Sequence, residues 1–469
     1  MPTAFQPAQQ WIELDRSESA TTASTKLYTA LDKITTGLIN LGQGREIVEF
    51  GILQDFFRAE LELSLSKEQK SKFIDSKYNP LPAEVNANSA NFLRAIFRMD
   101  ATKESTHTIQ ATGRASLLAT VRMIIKEHQA KRRNKTPYAP RFLVPEEYWP
   151  MLQDVFELAG ITPIKYSISN STAQDIDALL EKHKNIVGMY FEINNNPTGK
   201  RKTQKECQEI LNVLNKHNSG EYLASRKGAK IGLMFDLPYL HACPETKVGG
   251  ERTLDTGLQI FTRDQATPWV MNSSGSKDLG TASPGLHWLV GSDEYKAPLK
   301  KAVMSGPGVS YLPEFLRAVG KMVLPKYYGD FLDHCAKIRD GKYKPNRGFL
   351  ESSGLTVVEG DPSMTALFQI KAKEYAGKIL YRHDGSELVV KDFDDVVEYA
   401  ANKYGVVMVN SGNDKNGNWQ GRLAAAPEVE DYAEGVRRVV AALNEIRSAT
   451  SVPKQTPRAK ASPGPGGMG

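Results

Sequence analysis

Apolar residues along this chain fall into two rhythms, and the change between them predicts the architecture. A polar arm opens the chain and leads into a helix carrying Leu27, Leu31 and Ile34 at helical spacing. The glycines of Asn40-Leu41-Gly42-Gln43-Gly44 interrupt it. Helical patterns return over 52–65 and 90–98, separated by the turn-rich Tyr78-Asn79-Pro80-Leu81-Pro82. Beyond them the rhythm becomes one of short apolar runs between amphipathic helices. Strands are expected over 141–144, 164–167, 186–191, 231–235 and 269–271, and helices over 116–128, 148–159, 173–183 and 204–216. Short buried strands alternating with helices predict a mainly parallel sheet covered on both faces. A helix over 312–322 leaves this region. Strands over 354–358, 367–370, 406–409 and 421–423, with helices over 393–403 and 431–446, then predict a smaller α+β unit. The expected division is an N-terminal arm and part of the small domain over 1–85, a large α/β domain over 86–325, a C-terminal small domain over 326–450 and a disordered tail over 451–469.

Composition narrows the class. The length of 469 residues suits two or three folding units at roughly 150 residues each. A formal charge of +6, from 60 basic and 54 acidic residues, is mild for this size. The densest basic run, Lys131-Arg132-Arg133-Asn134-Lys135, is short and reads as a solvated loop, so no nucleic-acid partner is expected. The Pro-, Gly- and Ser-rich end beyond Val452 has too little apolar surface to offset ordering. Three cysteines, Cys207, Cys243 and Cys335, form no Cys-x-x-Cys spacing, which points away from a disulfide framework or a zinc site. No apolar run reaches the roughly 18 residues of a membrane span, and residues 1–16 are polar and acidic, unlike a signal peptide. The expectation is a cytoplasmic protein with no metal and no membrane association.

Four polar features stand where an open α/β sheet places its ligands, beyond the carboxyl ends of strands or at a helix start. Asn194-Asn195-Asn196-Pro197-Thr198-Gly199 follows one strand, and alone it is a turn. Asp236-Leu237-Pro238-Tyr239 follows the next; an Asp there is costly to bury without a cation, although a helix cap would explain it equally well. Ser273-Ser274-Gly275-Ser276-Lys277-Asp278-Leu279-Gly280 follows a third. A desolvated lysine at a strand end becomes a nucleophile, but most lysines are surface charges. Thr112-Gly113-Arg114-Ala115-Ser116 opens a helix whose backbone N–H groups suit an anion.

Order and spacing join the four. Asn-Pro-Thr-Gly, then Asp-x-x-Tyr about forty residues on, then Ser-x-Ser-Lys about forty further, resembles the fold-type I pyridoxal 5′-phosphate (PLP) enzymes of the aminotransferase class I/II superfamily. The resemblance extends to Asn40-Leu41-Gly42-Gln43-Gly44, to the glycine loop and to Arg422 in Trp419-Gln420-Gly421-Arg422-Leu423. It implies the PLP-dependent transferase fold and a homodimer with active sites near the subunit interface. It also implies an amino-acid substrate handled through an external aldimine. By the same resemblance Lys277 carries PLP and moves the Cα proton, and Asp236 pairs with the pyridinium nitrogen. Asn196 and Tyr239 bond the phenolic oxygen. Gly113, Arg114 and Ala115, with Ser274 and Ser276, hold the phosphate. Arg422 clamps the substrate carboxylate, helped by Gly42 and Asn196. Tyr78 lies in a segment similar to one that reaches the neighbouring subunit's phosphate.

Two departures qualify the pattern. Where the family carries a phosphate-binding arginine, this chain has His287 in Gly285-Leu286-His287, after the longer loop Thr281-Ala282-Ser283-Pro284. Either His287, protonated beside a dianion, or Arg114 is the candidate substitute, and simple packing is the alternative for His287. Where an aromatic normally stacks on the pyridine ring, the chain reads Pro145-Glu146-Glu147-Tyr148-Trp149-Pro150, offering Tyr148 or Trp149, either of which could equally be core. Transamination is the expected reaction. The alternative is a lyase or carbon–carbon-bond-forming enzyme using S-adenosylmethionine or another substrate with a γ-leaving group. Ser276-Lys277-Asp278-Leu279-Gly280 is similar to the run in 1-aminocyclopropane-1-carboxylate synthases. A transcription regulator on the same fold would need a separate DNA-binding domain, and fewer than about forty non-basic residues precede Asn40.

Overall fold

The computed structural model describes residues 3–42, 55–59, 95, 104–110, 113–132, 139–149, 151–168, 170–237, 239–264, 266–274, 277, 286–304, 321 and 325–452. The helices expected over 52–65, 90–98 and 312–322 fall mostly outside these residues, although 55–59 are helical. Tyr78, Ser276, the loop before Leu286 and the C-terminal tail also lie outside them.

The chain begins with helix α1 (Ala20–Asp32) and strand β1 (Ile39–Asn40). Leu27 and Leu31 are buried as their spacing predicts, whereas Ile34 lies past the helix end and is exposed. The large sheet then assembles from β2 (Glu104–Gln110), β3 (Arg141–Pro145), β4 (Ile164–Tyr166), β5 (Ile186–Glu192), β6 (Gly232–Leu237), β9 (Trp269–Ser274) and β10 (Leu286–Ser292). A small hairpin, β7 (Glu245–Val248) with β8 (Glu251–Leu254), stands apart from it. The strand order is β2-β10-β9-β6-β5-β3-β4. Strands β4, β3, β5, β6 and β9 run parallel, while β10 is antiparallel to both neighbours. All seven residues of β5 are buried, the sign of a strand covered on both faces. Helices α2 (Gly113–Lys131), α3 (Leu152–Leu158), α4 (Ala173–Lys182) and α5 (Gln204–His217) supply the cover. Capping boxes start two of them, Thr172 with Asp175 and Thr203 with Glu206, each satisfying N–H groups the first turn leaves open. Strand β2 is absent from the sequence expectation because Glu-Ser-Thr-His-Thr-Ile-Gln contains no apolar run.

The smaller unit is an antiparallel sheet of β11 (Thr356–Val357), β12 (Thr365–Ile370), β16 (Val409–Asn413) and β17 (Trp419–Ala424), ordered β11-β12-β17-β16; a separate hairpin, β13 (Ile379–Tyr381) with β14 (Glu387–Val389), comes between β12 and β16 in the chain. Helices α11 (Phe393–Tyr404) and α12 (Val429–Ser448) cover it, following α6 (Gly220–Ser225), α7 (Leu258–Arg263), α8 (Lys296–Met304), α9 (Pro325–Ile338) and α10 (Lys344–Ser352) in chain order. The N-terminal segment is built into this unit. Strand β1 pairs in parallel with β15 (Val406–Val407), and Leu14, Leu27, Leu31, Ile39 and Leu41 share one core with Phe393, Val397, Tyr432 and Val436. Gly405 ends α11 in the left-handed region (φ +65°), and a Cβ there would lie 2.1 Å from Phe5.

Candidate active site

The parallel strands β5, β6 and β9 end on the same side of the sheet, which brings Asn194–Gly199, Asp236 and Tyr239 to neighbouring strand ends, with Lys277 following the end of β9. Asp236 lies within β6, directly beside Glu192 of β5 on one side and Asn272 of β9 on the other. Lys277 is partly buried, three residues beyond the end of β9.

The three consecutive asparagines each make different bonds. Asn194 Nδ2 donates to the Tyr239 carbonyl (2.8 Å) and to Cys243 Sγ (3.3 Å). Asn195 Nδ2 donates to the Glu147 carbonyl (2.7 Å) and to Glu192 Oε2 (2.8 Å), while its Oδ1 accepts from the Thr198 hydroxyl (2.7 Å). Asn196 Nδ2 donates to the Tyr239 hydroxyl (3.1 Å), and its Oδ1 accepts from Arg422 Nη1 (3.3 Å). The turn closes through Gly199, at φ +75°, where a Cβ would meet the carbonyl oxygens of Asp361 and Thr365 at 2.8 and 2.9 Å. This turn therefore locks the large sheet against the smaller unit. Arg201 N donates to Asp361 Oδ2 (2.9 Å) at the same seam.

Arg422 reaches the site from β17. It is 3 % exposed, donates through Nη2 to the Gly42 carbonyl (2.9 Å), and among the described residues has no hydrogen-bond partner at Nε. Burial lowers its pKa below the ordinary guanidinium value. A buried cation without a carboxylate among its hydrogen-bond partners is costly, and a ligand carboxylate would offset that cost. Arg422, Asn196, Tyr239 and Gly42, expected from separate stretches of sequence, are thus joined in one bonded network.

At the other end, Gly113 begins α2 with no acidic residue in the first turn. Ser116 Oγ donates to Asn272 Oδ1 (2.8 Å), and Asn272 Nδ2 donates to Thr120 Oγ1 (3.1 Å), pinning the helix start against β9. His287 pairs in register with Ser274, and its Cε1 lies 3.6 Å from where a Gly113 Cβ would stand. Gly113, Ser274 and His287 are therefore neighbours. Burial pushes the His287 imidazole down to about 4, so it is neutral at physiological pH in this state. Arg114 points elsewhere: its half-exposed guanidinium lies 3.5 Å from Asp154. Tyr148 is also engaged elsewhere, with Lys165 Nζ 5.2 Å from its ring and its hydroxyl donating to Gln153 Oε1 (2.5 Å).

These residues fit PLP on chemical grounds. A helix start free of acidic residues beside a buried histidine suits a phosphate, and a carboxyl at the end of β6 suits a ring cation. The buried arginine suits a substrate carboxylate. A family model described as aminotransferase class I and II matches residues 38–319. The chain belongs to this family. A class I/II aminotransferase is a PLP-dependent transferase, and this chain is one. Solved structures agree on the fold. Aspartate aminotransferase from Thermus thermophilus with maleate superposes with a TM-score of 0.64 at 14% identity, covering 92% of this chain and 97% of that one. Aspartate aminotransferase from Rhizobium meliloti gives 0.64 at 15%, over 91% and 96%. A probable N-succinyldiaminopimelate aminotransferase, also from Thermus thermophilus, gives 0.63 at 16%, over 90% and 100%. None of the curated proteins matches the sequence at a significant level. No helix among the described residues is long and apolar enough to cross a membrane.

For this aminotransferase, sequence reasoning missed Tyr190 and Glu192. The expected strand stopped at Phe191, yet Glu192 is the last residue of β5, 1 % exposed. A carboxyl closing an otherwise apolar strand was the available signal. Away from the site, Asp177, Glu181 and His217 bring ligand-type atoms within 4.8 Å of one another. Lys216 Nζ already sits 2.7 Å from Asp177 and 3.3 Å from Glu181, so a lysine ammonium supplies the cation there.

Proposed function

We propose that this aminotransferase takes PLP on Lys277 and binds an amino acid by its α-carboxylate on Arg422. The observation that carries this is the meeting of Arg422, Asn196, Tyr239 and Gly42 at the strand ends, with Asp236 beneath them on β6. Bound PLP supplies an electron sink for the pair left when the substrate Cα proton departs.

The residues of this chain divide the remaining work. The Lys277 amine takes the Cα proton and returns it, as a partly desolvated lysine can near neutral pH. Asp236 holds the ring nitrogen in its protonated state. Asn196 and Tyr239 donate to the phenolic oxygen, each held in place by the other. Backbone N–H groups of Gly113, Arg114 and Ala115, with Ser274, Ser276 and His287, bind the phosphate. Arg422 presents a planar fork to the carboxylate and fixes which face of the substrate meets Lys277. The assembly we propose is a cytoplasmic homodimer serving amino-acid biosynthesis, with Tyr78 directed to the neighbouring subunit's phosphate.

Single amino acids mixed with the holoenzyme, in the absence of a keto acid, test the reaction. Transamination predicts stoichiometric conversion of the cofactor to its amine form. Release of methylthioadenosine from S-adenosylmethionine, without that conversion, would overturn it in favour of γ-elimination chemistry.

A further inference from the structure

Behind Asp236 lies a second buried acid that the roles above leave unused. Glu192 and Asp236 face each other in register on adjacent parallel strands, and Tyr190, two residues before Glu192, stands on the same side of the sheet. The Tyr190 hydroxyl is 2.8 Å from Asp236 Oδ2 and 2.9 Å from Glu192 Oε1. One phenol carries one proton and can donate to only one of these oxygens. With both acids ionised, the other contact would set two lone pairs against each other beside two buried like charges. A second proton is therefore required on one of the carboxyls.

Exposure decides which one carries it. Glu192 is 1 % exposed, whereas Asp236 keeps a partly exposed edge at the strand ends. The remaining partners of Glu192 are the Asn195 amide (2.8 Å) and the Asn196 backbone N–H (3.1 Å), both on Oε2. Neither is a cation, and a neutral acid's carbonyl oxygen accepts both bonds. The titratable groups facing Glu192 are Asp236 on β6, Tyr190 on its own strand, Tyr166 on β4 and, through Tyr166, Glu147. None of these brings a positive charge. Burial first, and Asp236 second, push the Glu192 carboxyl well above the usual carboxylate range. Burial raises Asp236 as well, to about 6, against bonds from Tyr190 and the Leu237 backbone N–H that favour its charged form.

We propose that Glu192 is a positioning residue which, as a neutral acid, donates to Tyr190 so that Tyr190 donates to Asp236 and the single negative charge of the pair stays on Asp236. The protons run Glu192 Oε1–H to the Tyr190 oxygen, and Tyr190 O–H to Asp236 Oδ2. Nothing is transferred: the chain fixes a tautomer and an orientation. This rests on Asp236 being the partner of the cofactor ring nitrogen.

The test uses holoenzyme reconstituted with PLP labelled with nitrogen-15 in its ring, read by nitrogen NMR for ring protonation and by the dissociation constant for PLP. Glu192→Gln keeps a neutral donor facing Tyr190. Its ring signal is expected to stay protonated, with PLP affinity within about twofold of wild type. Tyr190→Phe and Glu192→Leu break the relay. Both are expected to shift the ring signal toward the unprotonated form and to weaken PLP about tenfold. Asp236→Asn is the control for the underlying assignment. If it leaves the ring protonated, the assignment of Asp236 fails and the relay with it. If Asp236→Asn deprotonates the ring and Glu192→Gln does the same, a charged Glu192 is required and the relay alone is overturned. Wild-type behaviour of Tyr190→Phe would overturn it too.

Discussion

At the level of single residues, the site divides into groups whose chemistry announced itself in sequence and groups that only packing could reveal. Asn196, Asp236, Lys277 and Arg422 could be proposed from sequence because their spacing is shared with a superfamily. Arg422→Ala removes the donor that Asn196 Oδ1 faces and the fork that would hold a carboxylate. It is expected to lower kcat/KM roughly a hundredfold, mainly through KM, with PLP still bound; steady-state kinetics and the visible spectrum check this. His287 was a candidate from sequence, but its neutral state was not legible there, because its burial beside Ser274 of the paired strand and Gly113 of a distant helix is a matter of packing. In cofactor-free protein its NMR titration should give a midpoint of about 4, and added inorganic phosphate should raise it. The sign for stability follows. A histidine held neutral in the fold titrates below its unfolded value of about 6.5, so the unfolded chain takes the proton first. Its contribution is intact above about 6.5 and is lost as pH falls toward 4. His287→Gln should flatten that part of the stability curve in cofactor-free protein. A His287 that titrates near 6.5 without ligand would contradict its burial. Glu192 stayed hidden for a related reason: an acid after an apolar run looks like a strand boundary until the register of the next strand is known.

At the level of elements, alternation of short apolar runs and amphipathic helices was enough to predict the parallel core, because strands covered on both faces must be apolar along their whole length. The same criterion could not find β2, a polar strand that, among the described residues, pairs with β10 alone. It also carried a helix back to 148, whereas α3 begins at Leu152 and Tyr148 lies before it. Asn-Pro-Thr-Gly was readable as a turn but not as a clasp. Its second function comes from Gly199, whose missing Cβ lets the backbone approach Asp361 and Thr365. Gly199→Ala combines positive-φ strain with that close approach. It should cost about 1–3 kcal/mol in chemical denaturation and loosen the seam between large sheet and smaller unit. An unchanged denaturation midpoint would show that the turn is not held against the smaller unit.

For the whole molecule, the N-terminal segment is the part whose role depends on the complete fold. Trp11 Nε1 donates to Glu398 Oε1 (2.8 Å), Leu14 N to Glu398 Oε2 (3.0 Å) and Ile12 N to Asn402 Oδ1 (2.9 Å), so one buried face of α11 is satisfied by residues almost four hundred positions earlier. Arg438 closes the same region, donating to the Gly37 carbonyl (2.6 Å) with its guanidinium 5.8 Å from the Phe5 ring. Removing residues 1–16 should take from Glu398 and Asn402 the donors that Trp11, Leu14 and Ile12 supply, leaving Glu398 only the more distant Arg382, and lower the thermal midpoint by several degrees, since each unmet buried polar group costs about 1–3 kcal/mol. A truncated chain melting with wild type would refute this. The sequence suggested that this arm completes the small unit; its specific partners required the three-dimensional structure, because no local pattern links Trp11 to Glu398. Cofactor attachment, and with it the chemistry proposed for the molecule, rests on one lysine. Holoenzyme reduced with borohydride, digested and mapped by mass spectrometry should carry the pyridoxyl label on Lys277, and Lys277→Ala should carry none. A label on any other lysine, or one retained in Lys277→Ala, would contradict it.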